Sequence, residues 1–172
     1  MILKTINYEN KKILSVVGTR QITSYGTDFC KQLIEDLAKA FGVQFVVLAV
    51  DTKFVGGKNM VHLNGGRLIT SIETEDWIKK AEDLGAGEIL LTSMDHDGTK
   101  QGFALDITAT LSSTLPVPII ASGGGGESAH FYDVFTTGKA DAALAASIFH
   151  YKELAIPDLK QYLNNKGIPI RL

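Results

Sequence analysis

Polar and glycine-rich residues follow directly on the apolar runs of this sequence. Asp51 follows Phe45–Val50, "SMDHDGTKQG" follows Ile89–Thr92, "SGGGGES" follows Val117–Ala121, and Ser147 follows Ala142–Ala146. If these runs are parallel strands, their carboxyl ends lie at one edge of a sheet, where α/β proteins keep their binding sites. The spacing therefore predicts one site built from the ends of several strands.

Two small-residue turns have the composition of an anion cradle. Gly123 to Gly126 allow backbone N–H groups to approach an anion without an intervening Cβ. A helix beginning near Glu127 or Ser128 would add the partial positive charge of its N terminus. Ala146 and Ser147 form a second such turn in "LAASIFH". Together they predict a phosphate site that includes Ser122, although either turn alone also suits a tight structural turn.

Asp51 is the first candidate for proton transfer. A carboxylate at the mouth of a buried strand is partly desolvated, which raises its pKa and suits general acid–base chemistry. The structural alternative is that Asp51 caps the next turn. In the following loop, Asp95 and Asp97 also have the composition of turn formers before Gly98, and Thr92 and Thr99 suit either phosphate binding or backbone capping. Position alone does not decide among them.

Composition narrows the classes of partner. With 17 basic and 19 acidic residues the net charge is −2, which gives no electrostatic reason to expect nucleic acid or an anionic membrane. A single cysteine, Cys30, and the lack of an apolar run near ~20 residues favour a cytoplasmic protein without a membrane span. The four histidines have no paired-ligand spacing, so we expect no metal, and no cofactor is indicated.

The apolar pattern predicts an α/β fold with parallel strands. Short continuous apolar runs are typical of strands covered on both faces. The predicted strands are Ile13–Val17 and the four runs named above. The predicted helices are Thr27–Phe41, Glu75–Leu84, Asp106–Thr114, Ser128–Thr137 and Ile156–Lys166. Between Thr52 and Ile72, two glycine pairs bracket "MVHL", which predicts a small β-hairpin inserted between strand and helix.

Several long motifs in order resemble one enzyme family. "GAGEILLTSMDHDGTKQGF", "PIIASGGGG", "ADAALAASIFH" and "LKQYLNNKGIPIRL" look like the cyclase subunit of imidazole glycerol phosphate synthase. The resemblance implies a TIM-type (β/α)8 barrel that takes ammonia from a glutaminase subunit. It implies a phosphorylated nucleotide-sugar substrate, phosphoribulosyl aminoimidazole carboxamide nucleotide. The implied products are imidazole glycerol phosphate, for histidine synthesis, and aminoimidazole carboxamide ribotide.

The resemblance also implies roles for individual residues. Asp51 corresponds to the second of two acid–base aspartates, and Glu88 to the charged ring where ammonia enters. Lys4 corresponds to a substrate-facing lysine on the mobile loop after the first strand. The residues that correspond to substrate and phosphate contacts are Thr92, Asp97, Gly98, Thr99, Gly123, Gly124, Ala146 and Ser147.

The resemblance covers residues 38–172, whereas residues 1–26 match poorly as an N-terminal remnant. A barrel of this type has about 250 residues, so 172 residues predict one incomplete, N-terminally shortened barrel domain of about five βα units. The first catalytic aspartate and one phosphate site have no counterpart. Two alternatives stay open: a non-catalytic phosphate-binding partial barrel that self-associates as a homo-oligomer, and a phosphoribosyl isomerase of the same pathway.

Overall fold

A computed structural model of the protein describes the backbone of residues 2–8, 11–17 and 24–172, and the side chains of residues 32, 33 and 35–172. In chain order the strands and helices are β1 (Ile2–Tyr8), β2 (Lys11–Val17), α1 (Ser24–Phe41), β3 (Val47–Val55), β4 (Lys58–Leu63), β5 (Leu68–Glu73), α2 (Thr74–Asp83), β6 (Glu88–Ser93), α3 (Leu105–Thr114), β7 (Ile119–Ser122), α4 (Ser128–Thr136), β8 (Ala142–Leu144), α5 (Ser147–His150) and α6 (Ile156–Asn165).

Six of the strands form one sheet in the order β5-β4-β3-β6-β7-β8. β3, β6, β7 and β8 run parallel, and β4 and β5 continue the sheet antiparallel. Helices connect the parallel strands, as the predicted alternation of strand and helix requires. The α/β fold class and its reading as an incomplete parallel barrel are confirmed, and each of the five predicted helices is present to within three residues.

The prediction that Ile13–Val17 joins the parallel sheet is wrong. It lies in β2, which pairs antiparallel with β1 in a separate two-stranded sheet. The reason is the length of the connection. Only two residues separate β1 from β2, which suits a hairpin, whereas a parallel crossover needs a dozen or more. The described sheet therefore contains four parallel strands rather than five.

The expected end of the next strand is also wrong. β3 does not stop at Val50 but continues through Asp51 to Val55. Asp51 and Thr52 pair with both β4 and β6, and Lys53–Val55 pairs with β4 alone because β6 has ended there. Gly56 and Gly57 make the turn between β3 and β4 with φ of +61° and +87°, a region that favours glycine. The predicted hairpin is confirmed, and it belongs to the main sheet.

The hydrophobic core lies on one face of the sheet. Along β6 the side chains alternate strictly, with Ile89, Leu91 and Ser93 buried and the residues between them only partly buried. Two groups of buried side chains pack on this face beneath α2, α3, α4 and α6. Their fully buried members are Ile78, Ile89, Leu91, Leu111, Ile119, Val134, Ile148 and Leu163. The expectation that helices or strands cover both faces fails for the described residues, since Val47 on the other face is 50% exposed.

Candidate active site

A single row of paired residues crosses the sheet near the carboxyl ends of the parallel strands. His62 of β4 pairs with Asp51 of β3, which pairs with Thr92 of β6, then Ser122 of β7, then Leu144 of β8. Paired residues point to the same face of a sheet, and neighbouring strands lie about 4.8 Å apart. Asp51 and Ser122 therefore lie on one face, roughly 10 Å apart. This is the face opposite the hydrophobic core.

A cavity of about 180 Å³ opens at the ends of β7 and β8. Its walls come from three loops that follow strands, which is the convergence that the sequence predicted. The lining residues are Asp97, Gly98, Lys100, Ser122, Gly123, Gly124, Gly125, Leu144, Ala145, Ala146 and Ser147. The two small-residue turns thus face each other across one space. The strand predicted over Ala142–Ala146 is shorter than expected, since β8 ends at Leu144.

Packing fixes the glycine turn that lines this cavity. Gly123 and Gly124 have φ of +90° and +101°, where a side chain is strained. A Cβ on Gly123 would lie 2.7 Å from the carbonyl oxygen of Ser93, and one on Gly124 only 1.9 Å from that of Gly102. The N–H of Gly102 also donates to the carbonyl of Gly124 at 2.8 Å. The turn needs glycine because neighbouring backbone occupies the space of a side chain.

Asp97 and Thr99 differ in their relation to the cavity. The N–H groups of His96 and Asp97 both donate to the carbonyl of Ser93, which folds the loop back and brings Asp97 to the cavity wall. The Thr99 hydroxyl donates to the carbonyl of His96 at 2.7 Å, and Thr99 does not line the cavity. Thr99 therefore shapes the loop in this structure, and its predicted contact with phosphate stays a prediction.

Asp51 lies beside the cavity rather than in its wall. The carboxyl group is half-buried, and burial is the main cause that raises its pKa above the ordinary value of 3.8. The negative charge of Asp97 raises the pKa further, and His62 opposes both effects. Because Asp97 also lines the cavity, it links the carboxylate of Asp51 electrostatically to whatever binds there.

His62 is a neighbour of Asp51 that the sequence prediction missed. Only 6% of it is exposed, and its Nδ1 lies 2.9 Å from the carbonyl oxygen of Met60. His62 lies beside Asp51 because β3 and β4 pair antiparallel. The hairpin pattern of "VDTKFVGGKNMVHL" is the sequence signal from which this proximity could have been predicted. The pairing Val55↔Lys58 across the glycine turn fixes the register that makes them direct partners.

Two other predicted residues lie away from this edge. Glu88 begins β6, pairs with Val47, and so lies at the opposite end of the strand from Thr92. Lys4 lies in β1 opposite Ser15, in the two-stranded sheet, and its side chain is outside the described part of the chain. The expected loop around Lys4 is therefore a strand, because the two-residue connection to β2 allows the segments to pair.

A larger cavity, of about 430 Å³, lies on the core side of the sheet and was not predicted. Thr52 and Ser93 contribute to it, and they alternate with Asp51 and Thr92 along their strands, so they point to the other face. Ser93 Oγ lies 2.9 Å from His96 Nδ1, and the N–H of Phe54 donates to Asp95 at 2.8 Å. These bonds tie Asp95 to β3 and His96 to the end of β6.

The described side chains include no group of three or more histidine, cysteine, aspartate or glutamate residues placed to hold a metal ion. Among the helices in the described ranges, none combines the length and apolarity needed to cross a membrane.

Comparison with known proteins identifies the family. The family model described as "Histidine biosynthesis protein" matches residues 9–155. The imidazole glycerol phosphate synthase subunit HisF of Cytophaga hutchinsonii is 60% identical over 139 residues, which is 81% of this chain and 55% of the relative. That of Flavobacterium psychrophilum is 58% identical over 141 residues, 82% of this chain and 56% of the relative.

A third HisF subunit, from Chlorobium limicola, is 47% identical over 169 residues, which is 93% of this chain and 67% of the relative. The chain thus spans a little over half the length of the first two relatives and two thirds of the third. All three relatives bear the name of the synthase subunit. The family model covers most of the chain, and this protein therefore belongs to the histidine biosynthesis protein family, with HisF subunits of imidazole glycerol phosphate synthase among its relatives.

Proposed function

We propose that this chain carries the phosphate cradle and one of the two acid–base carboxylates of an imidazole glycerol phosphate synthase cyclase. The reaction joins ammonia to the phosphoribulosyl aminoimidazole carboxamide nucleotide and releases imidazole glycerol phosphate and aminoimidazole carboxamide ribotide. The observation that carries the proposal is the register row across the sheet. It places Asp51, Thr92 and Ser122 on one face, next to the cavity between the two small-residue turns.

The cavity suits one phosphate group of the substrate. Gly123 and Gly124 bring backbone N–H groups close to the space, and the turn at Ala146 and Ser147 faces them. Backbone N–H groups held by packing need no reorganisation when an anion arrives, which favours binding. Ser122 and Thr92 add hydroxyl groups along the same row. Asp97 and Gly98 then contact the sugar next to the phosphate.

Asp51 is the proposed acid–base group. Its raised pKa brings the protonated and ionised forms closer in free energy near neutral pH, and efficient proton transfer needs both forms. Its position on the row, roughly two strand spacings from Ser122, leaves room for a sugar between carboxylate and phosphate. Asp51 therefore acts on the carbon skeleton while the cradle holds one end of it.

The partner proposed from the family resemblance is a glutaminase subunit that delivers ammonia at the Glu88 end of the sheet. Glu88 is half-buried at the start of β6, at the end opposite Asp51 and the cavity. Ammonia entering there would travel along the face that carries Asp51. A cytoplasmic location belongs to the same proposal, since histidine synthesis uses soluble phosphorylated intermediates.

The test is a steady-state assay of the 172-residue chain with ammonium and the nucleotide substrate, paired with a titration of inorganic phosphate. Asp51→Asn should lower kcat about 100-fold or more, because an acid–base group contributes roughly 10²–10⁴ in rate. Phosphate affinity should stay within about twofold, since Asp51 lies outside the cavity wall. Normal turnover by the variant would remove the role of Asp51. Folded wild-type chain that does not bind phosphate would remove the cradle.

One observation favours a second function, a phosphate-binding partial barrel that self-associates. β5 and β8 are the edges of the described sheet, and Val47, on the same face as Asp51, is 50% exposed. Open strand edges and apolar faces invite pairing with another copy. Light scattering combined with size exclusion would give the assembly mass. Phosphate binding by an assembled chain with no turnover above background would support this function against the enzyme.

A further inference from the structure

Lys100 is a basic residue at the phosphate cavity whose charge is already engaged. It lies in the loop between β6 and α3, and it is the one basic residue among the described residues that line the cavity. Its Nζ lies 2.6 Å and 2.7 Å from the two carboxylate oxygens of Glu153, in the segment between α5 and α6. Both side chains are about 40% exposed, at 41% and 42%. The pair thus joins the loop after β6 to the segment between α5 and α6, and of its two members only Lys100 lines the cavity.

The backbone of Lys100 is fixed against the glycine turn. Its φ is +57°, a left-handed conformation that is uncommon for a residue with a side chain. A Cβ on Gly126 would lie 2.3 Å from the Lys100 carbonyl oxygen, so Gly126 is the residue that permits this approach. The stem of Lys100 therefore starts from a defined place beside the cavity, while its ammonium group can turn about the flexible bonds of the side chain.

The charges around the cavity do not suit a phosphate while this pair is closed. Asp97 is the other charged residue in the wall, and its carboxylate repels an anion. With the Lys100 ammonium neutralised by Glu153, the acidic charge of Asp97 is left unbalanced. An ammonium released toward the cavity would offset it and donate to phosphate oxygens. Breaking the ion pair with Glu153 costs little, since water screens exposed ion pairs and they contribute little to stability.

We propose that Lys100 is the countercharge of the bound phosphate and that Glu153 competes with the phosphate for it. This rests on the proposed function of the cavity as a phosphate site. In the free chain the two loops are tied together by Lys100 and Glu153. When phosphate binds, the ammonium group turns from the carboxylate to the anion, while the backbone of Lys100 stays in place against Gly126. Lys100 is then a binding residue, and Glu153 sets how strongly the site holds phosphate.

The alternative is that the ion pair only ties two loops together and thereby shapes the cavity. The two explanations predict different changes in phosphate affinity when Glu153 is replaced. If Glu153 competes, Glu153→Gln frees the ammonium and tightens phosphate binding. If the pair is only structural, the same change loosens the loops and weakens binding or leaves it unaltered. Glutamine keeps the size of the side chain and can still accept a hydrogen bond, so the change removes charge alone.

The test titrates inorganic phosphate into the 172-residue chain at low salt, followed by calorimetry or phosphorus NMR. Lys100→Met should weaken binding about tenfold, since it removes a hydrogen bond from a charged donor. Glu153→Gln should tighten binding about two- to fivefold, the factor that corresponds to the loss of an exposed ion pair. Both effects should shrink as salt is raised, because salt screens exposed charges.

Lys152→Met is the matched control. Lys152 adjoins Glu153, is exposed, and has the same φ of +57° as Lys100, but it does not line the cavity. Lys152→Met should change phosphate affinity by less than about 1.5-fold. This control distinguishes an effect of a charge at the cavity from an effect of the net charge of the chain. Binding by wild-type chain together with weaker or unchanged binding by Glu153→Gln would overturn this inference alone. Absence of phosphate binding by folded wild-type chain would overturn the cradle as well. If Lys100→Met does not fold, the direction in which Glu153→Gln changes phosphate affinity still decides between the two explanations.

Discussion

The two ends of the register row are built in different ways. At the β7 and β8 end, Gly123 and Gly124 pack so tightly that a Cβ would overlap neighbouring backbone, and buried Phe131 and Ile148 lie in the core nearby. At the β3 and β4 end, Asp51 is half-buried, and the meander that continues the sheet exposes large apolar side chains. These are Phe54, Leu63, Leu68, Ile69 and Ile72.

The difference suits the roles proposed for the two ends. A phosphate is recognised by backbone groups in fixed positions, and these are fixed by close packing. A proton-transfer group needs a tuned pKa, which comes from partial burial and neighbouring charges rather than from contact on every side. Substitutions at the cradle should therefore change stability and binding together. Substitutions around Asp51 should change protonation while phosphate binding persists.

The largest expected effect is at the cradle. Gly124→Ala should lower the free energy of unfolding by at least about 2 kcal/mol, because it combines a strained φ of +101° with a Cβ 1.9 Å from the Gly102 carbonyl oxygen. Phosphate affinity should fall in the same variant, since relief of the overlap moves the turn. Urea unfolding and phosphate titration measure the two losses.

Gly98→Ala is the control for that prediction. Gly98 also has a positive φ, +74°, and lines the cavity, but no atom lies within 4 Å of the position of its Cβ. Gly98→Ala should lower the free energy of unfolding by about 1 kcal/mol, from backbone strain alone. Equal losses for the two glycines would show that overlap with Gly102 does not fix the cradle, and the contrast between the ends would lose its basis.

A smaller effect is expected beneath the Asp51 end. The hydroxyl groups of Thr52 and Thr74 lie 2.7 Å apart, and both residues are at most 1% exposed. Thr74→Val should cost about 1–3 kcal/mol, because it leaves the Thr52 hydroxyl buried without that partner. Thermal unfolding measures the loss. Phosphate affinity should be unchanged, since neither residue lines the cradle.

The double variant Thr52→Val with Thr74→Val sharpens this prediction. Two valines of similar shape remove both hydroxyl groups, so most of the lost stability should return. If the double variant is as unstable as the sum of the two single variants, the hydroxyl pair does not act as a unit. In that case the side of the sheet below Asp51 is held by packing in the same way as the cradle.

The meeting of the two small-residue turns at one cavity was largely predictable from the sequence, because its signals are local. Four glycines after an apolar run, and small residues after another, are features that each occupy fewer than ten residues. The parallel pairing β6-β7-β8 then brings them together without any further information. The helices were predictable for the same reason, since a helical period repeats within one segment.

The Asp51 end was predicted less well because its features depend on pairing between segments. Residues Asp51–Val55 have mixed polarity, and beyond Thr52 the antiparallel partner β4 is what makes them a strand. His62 becomes a neighbour of Asp51 through that register. The same limit applies at the other end, where the ion pair of Lys100 with Glu153 joins residues 53 positions apart. Ile13–Val17 shows the same limit: its composition indicates a strand, but the choice of β1 as partner decides its sheet.

The smallest expected effect is that of the Asp51 charge on the stability of the protein. Because burial and Asp97 raise the pKa of Asp51, the unfolded chain holds fewer protons than the folded one at pH values just above 3.8. The Asp51 contribution to stability therefore falls as pH rises from 3.8 through the folded pKa, and is constant above it. Asp51→Asn lacks this fall, so at neutral pH it should be the more stable protein by less than about 1 kcal/mol, since water screens a half-exposed group.

Asp97→Asn tests the cause of that shift. It removes one of the two effects that raise the pKa of Asp51, so the pKa should fall toward 3.8 while burial keeps it above that value. Carboxyl carbon NMR of the Asp51 side chain across pH 3–8 follows the titration directly. Phosphate affinity should rise in the same variant, because the acidic charge in the cavity wall is gone. An unmoved pKa with tighter phosphate binding would mean that Asp97 acts on the cradle alone, and the two ends would then be electrostatically independent.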